Sequence, residues 1–322
     1  MHSMIRRLLA ASLVLAAGIA QAQAYPTKSI TLVVPYAAGG LTDQLAREVG
    51  VYMSGALKQP VVVDNRPGGA AQIAMNLIKQ QPADGYMVLF GDVPSLATNV
   101  GLFKKLSYDP RKDLQPVTQL VVSPALVVVP NDSPFMRFDD LVKGAKSKPG
   151  GLTYASQGVG TGGHLFGTLL AKQIGVPMAH AAYRGSMPGL TDVMSGHVDF
   201  MYDAVPTSGA FVKGGKMRAL AIGAAQRSAQ FPDVPTLKEL GYESIVPTFW
   251  WGAAVRSGTS PEVVERLQTV INEAMRSPAI ATKFTEQGVI VQTSSSKAFT
   301  AYIDSEINRW TKVMHEAGMQ AD

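Results

Sequence analysis

Ile30-Thr31-Leu32-Val33-Val34-Pro35-Tyr36-Ala37-Ala38-Gly39-Gly40-Leu41-Thr42-Asp43 reads as a buried strand, a glycine turn and a helix start. Ile30 to Val34 is apolar and largely β-branched, the composition a parallel sheet buries on both faces. Gly39 and Gly40 strip the turn of side chains. Thr42 or Asp43 is placed to cap a helix running to about Lys58. The first N–H groups of such a helix have no intrahelical partner and point beyond the strand's carboxyl end, where they suit an anion. The stretch is read as a carboxylate-binding loop, with an ordinary βα turn as the plainer alternative. Asp43 is expected to face the helix start.

Met1 to Ala24 is set apart from the fold. Arg6 and Arg7 precede an apolar run from Leu8 to Ala20, and Ala22-Gln23-Ala24 closes it. These are the three regions of a cleavable secretory signal, with cleavage expected after Ala24. The apolar run is short for a membrane span. The chain has no cysteine. That excludes a lipid anchor at the cleavage site, disulfides, thiol catalysis and cysteine-bound metal. The formal net charge of +5 loses Arg6 and Arg7 with the signal, leaving +3. Lysine and arginine are interspersed with acids and form no basic run, so nucleic acid is not an expected partner.

Beyond the leader, strand and helix patterns alternate. Val61 to Val63, Met87 to Phe90 and the intervening helix pattern from Ala70 to Gln80 continue a βαβαβ series. A long apolar segment follows from Pro116 to Pro130, then a helix from Asp139 to Lys148. A second series has strands at Leu152 to Ala155, Ala179 to Tyr183, Val198 to Tyr202 and Leu220 to Ile222. Two such units imply two lobes and a cleft. Phe249 to Val255 is a further strand, and Ser260-Pro261 opens a helix. The last helix places Phe299, Ile303, Ile307 and Trp310 on one face, which is core packing.

A second glycine turn, Ser156-Gln157-Gly158-Val159-Gly160-Thr161-Gly162-Gly163-His164, also lies between a strand and a helix. It contains a formal G-x-G-x-x-G, but the acid a dinucleotide site wants at the next strand's end is replaced by Tyr183 and Arg184. Ser156 imitates a nucleophile elbow, yet Tyr154 stands where the tight turn needs glycine. The five histidines are scattered without metal-ligand spacing, so neither metal nor cofactor is expected. A second anion loop is the simpler reading. His164 either donates there or packs. Arg184 is a carboxylate clamp or a solvated cation at the cleft rim. Asp203 ends a strand and is placed to accept from a ligand donor, hold a water or cap the helix after Pro206.

These motifs, taken in order, resemble the Bug/TctC family of periplasmic solute-binding proteins, the receptors of tripartite tricarboxylate transporters. The marks are Tyr25-Pro26 with Ile30 to Asp43, Asp64-Asn65-Arg66-Pro67-Gly68, Pro82-Ala83-Asp84-Gly85-Tyr86, Tyr108-Asp109-Pro110, Leu152 to Ser156, Tyr183-Arg184-Gly185-Ser186, Leu190-Thr191-Asp192 and Pro232 to Thr236. The resemblance covers essentially all of the chain after the leader. It implies an α/β, two-lobed periplasmic binding protein fold, type II-like, with two parallel-type sheets and crossing strands as the hinge. Lobe one is then 25–116 plus 248–322, and lobe two 117–247. The implied role is binding, not catalysis: capture of a carboxylate small molecule by a monomer, and delivery to membrane permease subunits. A sensor receptor and a periplasmic hydrolase are the alternatives. The implied ligand contacts are Tyr36, Ala38, Gly40, Leu41 and Thr42 from the first loop. Ser156, Gln157, Gly158, Thr161 and His164 follow from the second, with Tyr183, Gly185 and Asp203 nearby. Val159, Gly162, Gly163 and Ala204 depart from the common pattern toward smaller or less polar side chains. They imply a ligand with an apolar or aromatic body and one or two carboxylates.

Overall fold

The structure, a computed structural model, describes residues 25–247 and 249–321. The leader and its cleavage site lie outside the described residues. The first unit runs β1 (Ile30–Val34), α1 (Leu41–Leu57), β2 (Val61–Asn65), α2 (Gln72–Gln80) and β3 (Met87–Asp92). β1 pairs in parallel with both β2 and β3, as consecutive βαβ units must. Ile30, Leu32, Val33 and Val34 have no exposed surface, because α1 covers one face of the sheet with Leu41, Leu45, Val49 and Met53. A π-turn, Pro94–Thr98, follows β3 directly.

β4 (Leu114–Ser123) belongs to this sheet and β5 (Ala125–Pro130) to a second one. Then come α3 (Phe138–Ser147), β6 (Thr153–Ser156), α4 (Gly162–Ile174), β7 (Ala179–Ala182), α5 (Ser186–Met194), β8 (Phe200–Ala204), α6 (Val205–Lys213) and β9 (Met217–Gly223). The chain returns to the first sheet with β10 (Phe249–Arg256) and ends through α7 (Pro261–Arg276), α8 (Pro278–Glu286), β11 (Ile290–Val291) and α9 (Ser296–Ala317). Strand order is β11-β4-β10-β3-β1-β2 in one sheet and β7-β6-β8-β5-β9 in the other.

The sheets are mixed, which corrects the parallel-type expectation. β10 is antiparallel to β3 and β4, and β5 is antiparallel to β8 and β9. These are the strands on which the chain changes lobe. They reach their sheet without a crossover helix, so nothing forces them to run parallel. The change of sheet falls at Pro124, inside the apolar segment Pro116 to Pro130. Pro116 lies inside β4, next to a break in its register with β10, where a missing N–H is tolerated.

The lobes meet through specific contacts. Ala37 N–H donates to the Arg184 carbonyl at 3.4 Å, and Thr98 Oγ1 to the Gly160 carbonyl at 2.8 Å. Lys172 Nζ on α4 donates to the Glu316 carbonyl at 2.5 Å. Leu165 and Val159 pack against Leu102, Trp310 and Met314. The cleft is therefore closed.

Candidate functional site

A cavity of about 50 Å³ lies between the sheets. Four helices begin on it. Their N-cap residues are Gly40 of α1, Thr161 of α4, Gly185 of α5 and Ala204 of α6, and all four line the cavity. None receives a side-chain cap. Away from the cleft, Ser260 and Ser295 do cap α7 and α9 with their hydroxyls. An uncapped helix start leaves N–H donors and a positive partial charge directed outward. Here those of α1, α4 and α5 converge on one space; at α6 the Val205 N–H is already given to the Pro124 carbonyl at 3.0 Å and Pro206 has none.

The helix start at the first loop is two to three residues earlier than the sequence implies. Gly40, not Thr42 or Asp43, is the N-cap, because Gly39 turns the chain at φ +94°. Asp43 instead folds back. Its Oδ2 accepts from Gly39 N–H and from Arg47 Nε, each at 3.0 Å, and its Oδ1 accepts from Asn65 Nδ2 at 3.0 Å. Burial pushes the Asp43 pKa up, but the bonds from Arg47, Gly39 and Asn65 outweigh it and hold the carboxyl below its ordinary range. Asp43 thus braces the loop and does not line the cavity; Asn65 also donates to the Tyr36 carbonyl at 3.0 Å. Thr42 Oγ1 accepts from Trp251 Nε1 at 2.8 Å, which leaves its own proton to donate into the cavity.

The second loop is braced without any ion pair. Asp203 has no exposed surface. Its Oδ1 accepts from Gln157 Nε2 and Ser186 Oγ, both at 2.7 Å, and its Oδ2 accepts from Thr207 Oγ1. Burial drives its pKa up against those three donors. Gln157, Ser186 and Thr207 all line the cavity, so one carboxyl sets three of its side chains. With Nε2 committed to Asp203 and to the Tyr202 carbonyl, Gln157 Oε1 has no partner among the described residues.

Of the residues singled out from the sequence, Tyr36, Gly40, Leu41, Thr42, Gln157, Thr161 and Gly185 line the cavity. Gly158 and Tyr183 line an adjoining hollow, which also touches Tyr36, Gln157 and Thr161. Ala38, Ser156, His164 and Asp203 line neither. His164 packs: its Nδ1 accepts from Gly160 N–H at 3.1 Å and its ring stacks on His180 at 4.1 Å. Burial lowers the His164 pKa to about 4; burial and then the neighbouring His164 lower that of His180 to about 3. Ser156 Oγ lies 2.6 Å from His180 Nε2, the spacing of a nucleophile and its base. Ser156 has no exposed surface, however, and the His180 ring is flanked by His164 and Tyr154.

The sequence does not single out Asp92, Val93, Pro94 and the aromatic wall of Phe249 and Trp251, all of which line the cavity, as does Trp250, whose ring packs on Phe299 and Tyr302 of α9. Asp92 ends β3, so the strand-end rule applied to β1 points to it as well. Its register partner on β10 is Trp251. Asp92 is 8% exposed. Burial raises its pKa to about 6, against hydrogen bonds from Tyr36 and Ser95; Ser95 Oγ is 3.1 Å from Oδ1.

Comparison with known proteins places this geometry. Residues 45–319 match the family model described as tripartite tricarboxylate transporter family receptor. Protein BugT of Bordetella pertussis is 33% identical over 306 residues, covering 94% of either chain. The structure of Rpa4515 of R. palustris with adipate superposes with a TM-score of 0.88 at 32% identity, over 92% of this chain and 100% of that one. MatC of Rhodopseudomonas palustris with bound malate gives a TM-score of 0.86 at 28% identity, over 90% and 99%.

Proposed function

The chain belongs to the tripartite tricarboxylate transporter receptor family, whose solved relatives share its two-lobed periplasmic binding protein fold, and on that premise we propose that it is a periplasmic receptor that captures a carboxylate in its cleft and hands it to membrane permease subunits. The observation that carries the proposal is the convergence of three uncapped helix starts with free N–H groups, those of α1, α4 and α5, on one cavity. A buried carboxylate needs its oxygens fully hydrogen-bonded, and uncapped helix starts supply N–H donors without a desolvated cation. Rpa4515 with adipate and MatC with malate are relatives with carboxylates bound, which supports the same class here.

In this scheme the lobes hinge on β4, β5 and β10. Tyr36, Gly40, Leu41 and Thr42 hold the ligand from one side, and Gln157, Thr161 and Gly185 from the other. Gly158 and Tyr183 shape the approach, Ala38 completes the first turn, and Ser156, His164 and Asp203 act by bracing. Closure excludes water, the hinge motion the handling of such ligands requires. In this reading the protein works as a monomer and by binding alone; the burial of Ser156 supports binding over acyl transfer. Export follows cleavage after Ala24, leaving Tyr25 at the N-terminus.

The test is a thermal shift on the purified protein against citrate, succinate, malate, adipate, glutamate, benzoate and terephthalate, paired with native mass spectrometry of protein taken from the periplasm. Ligand at a hundredfold excess over Kd stabilises the folded state by about 2.7 kcal/mol. A shift with at least one acid is expected. No shift with any of them, and no co-purified mass, overturns the carrier function.

A further inference from the structure

The cavity wall carries an unusual balance of charge for a site that takes an anion. Among the described residues that line it there is no lysine, arginine or histidine, and the one acid is Asp92. A second carboxyl, Asp203, stands directly behind Gln157, Ser186 and Thr207 and is met only by neutral donors. The starts of α1, α4 and α5 offset one ligand carboxylate. They leave nothing for Asp92, whose partners are all neutral: the hydroxyls of Tyr36 and Ser95 and the Ser95 backbone N–H.

The neighbours of Asp92 are what a cation wants. Trp251 stands opposite it across the β3–β10 pair, so the two side chains share a face of the sheet. The Phe249 ring lies 6.1 Å from Trp251, and Tyr36 completes the surround. Aromatic faces attract an ammonium group, and an unpaired buried carboxylate supplies its counter-charge. A ligand made only of carboxylates would bring more negative charge to a wall that has no cation.

We propose that Asp92, with Trp251, Phe249 and Tyr36, forms a subsite for an ammonium group, so that the ligand of this receptor is an amino-carboxylate. The proposal rests on the carrier function above and names the class of its ligand. The carboxylate lies against the helix starts and the ammonium against Asp92. The titratable groups facing Asp92 are Tyr36 and Tyr108; burial pushes both phenols above their usual range, so both stay neutral near pH 7. Asp92 itself, held near 6 when the cavity is empty, ionises as the pH rises. Preference for the ammonium should therefore grow from pH 5 to pH 8.

The experiment is calorimetry on the wild-type protein with acids that share a skeleton: aspartate, malate and succinate; 5-aminopentanoate and pentanoate; 4-(aminomethyl)benzoate and 4-methylbenzoate. The expected result is at least tenfold tighter binding of the ammonium member in every set that binds, widening with pH. In Asp92→Asn the preference disappears. If malate, succinate, pentanoate or 4-methylbenzoate binds as tightly as its ammonium counterpart, the subsite is wrong and the carrier function stands. If no acid of any set binds, both fall. The wild-type comparison decides the matter even where Asp92→Asn fails to fold.

Discussion

The two anion loops of this cleft do the same work with opposite materials. The first, Gly39 to Asp43, is braced by a carboxylate with a cation: Arg47, on the next turn of α1, reaches Asp43 Oδ1 at 2.9 Å, with its own side chain half exposed. The second, Ser156 to Gly163, is braced by groups that are buried and neutral or nearly so. Asp203 takes three neutral donors, and the stacked pair His164–His180 holds Gly160 and Ser156. A brace that is solvated and ion-paired tolerates acid and loss of a partner. One that is buried and uncharged does neither, because every unpaired group there keeps its full desolvation cost.

The largest difference should come from cutting each brace at its centre. Asp203→Ala leaves Gln157, Ser186 and Thr207 without their common acceptor; at about 1–3 kcal/mol for each buried donor, a loss of about 4 kcal/mol is expected, together with loss of ligand binding. Urea denaturation and the thermal shift assay measure both, and a loss below about 1 kcal/mol would show that the second loop holds without Asp203.

Acid separates the loops next. His164 and His180 have pKa values depressed in the folded state, to about 4 and about 3. The unfolded chain therefore takes up protons first, and stability present above pH 6.5 is lost as the pH falls toward 4, by about 3 kcal/mol. Asp43, also depressed, contributes above its unfolded value and begins to lose that contribution only below about pH 4. Denaturation at pH 7 and pH 4.5 should show the drop in wild type and a smaller one in His180→Gln. An equal drop in both would remove the histidines from the account.

Asp92 sharpens the comparison with the opposite sign. Its pKa is raised to about 6 on folding, so the stability its protonated form contributes is present below about pH 4 and lost as the pH rises through 6. Asp92→Asn should stabilise the empty protein by about 2 kcal/mol at pH 8 and leave it unchanged at pH 4. Melting temperatures of the two proteins at both pH values decide it. The smallest effect belongs to Arg47→Ala, below about 1 kcal/mol, because the ion pair is half solvated and Asp43 keeps Gly39 N–H and Asn65. A larger loss by urea titration would mean that the first loop depends on its cation after all.

What the sequence determined by itself was the pair of strand–glycine turn–helix units and their alternation into two lobes. Each rests on signals within a few residues: a β-branched run, a glycine that accepts positive φ, an amphipathic period. Seven of the thirteen residues named from those units line the cavity for that reason. Tertiary structure decided what lies around them. Asp92 meets Trp251 only because β10 returns antiparallel between β3 and β4. His164 turns from the cleft because His180, on the neighbouring strand β7, offers its ring. Asp203 collects Gln157, Ser186 and Thr207 from three helix starts that share one sheet end. Strand register and direction between distant segments are set by burying a common core, and no local pattern in the chain encodes that choice.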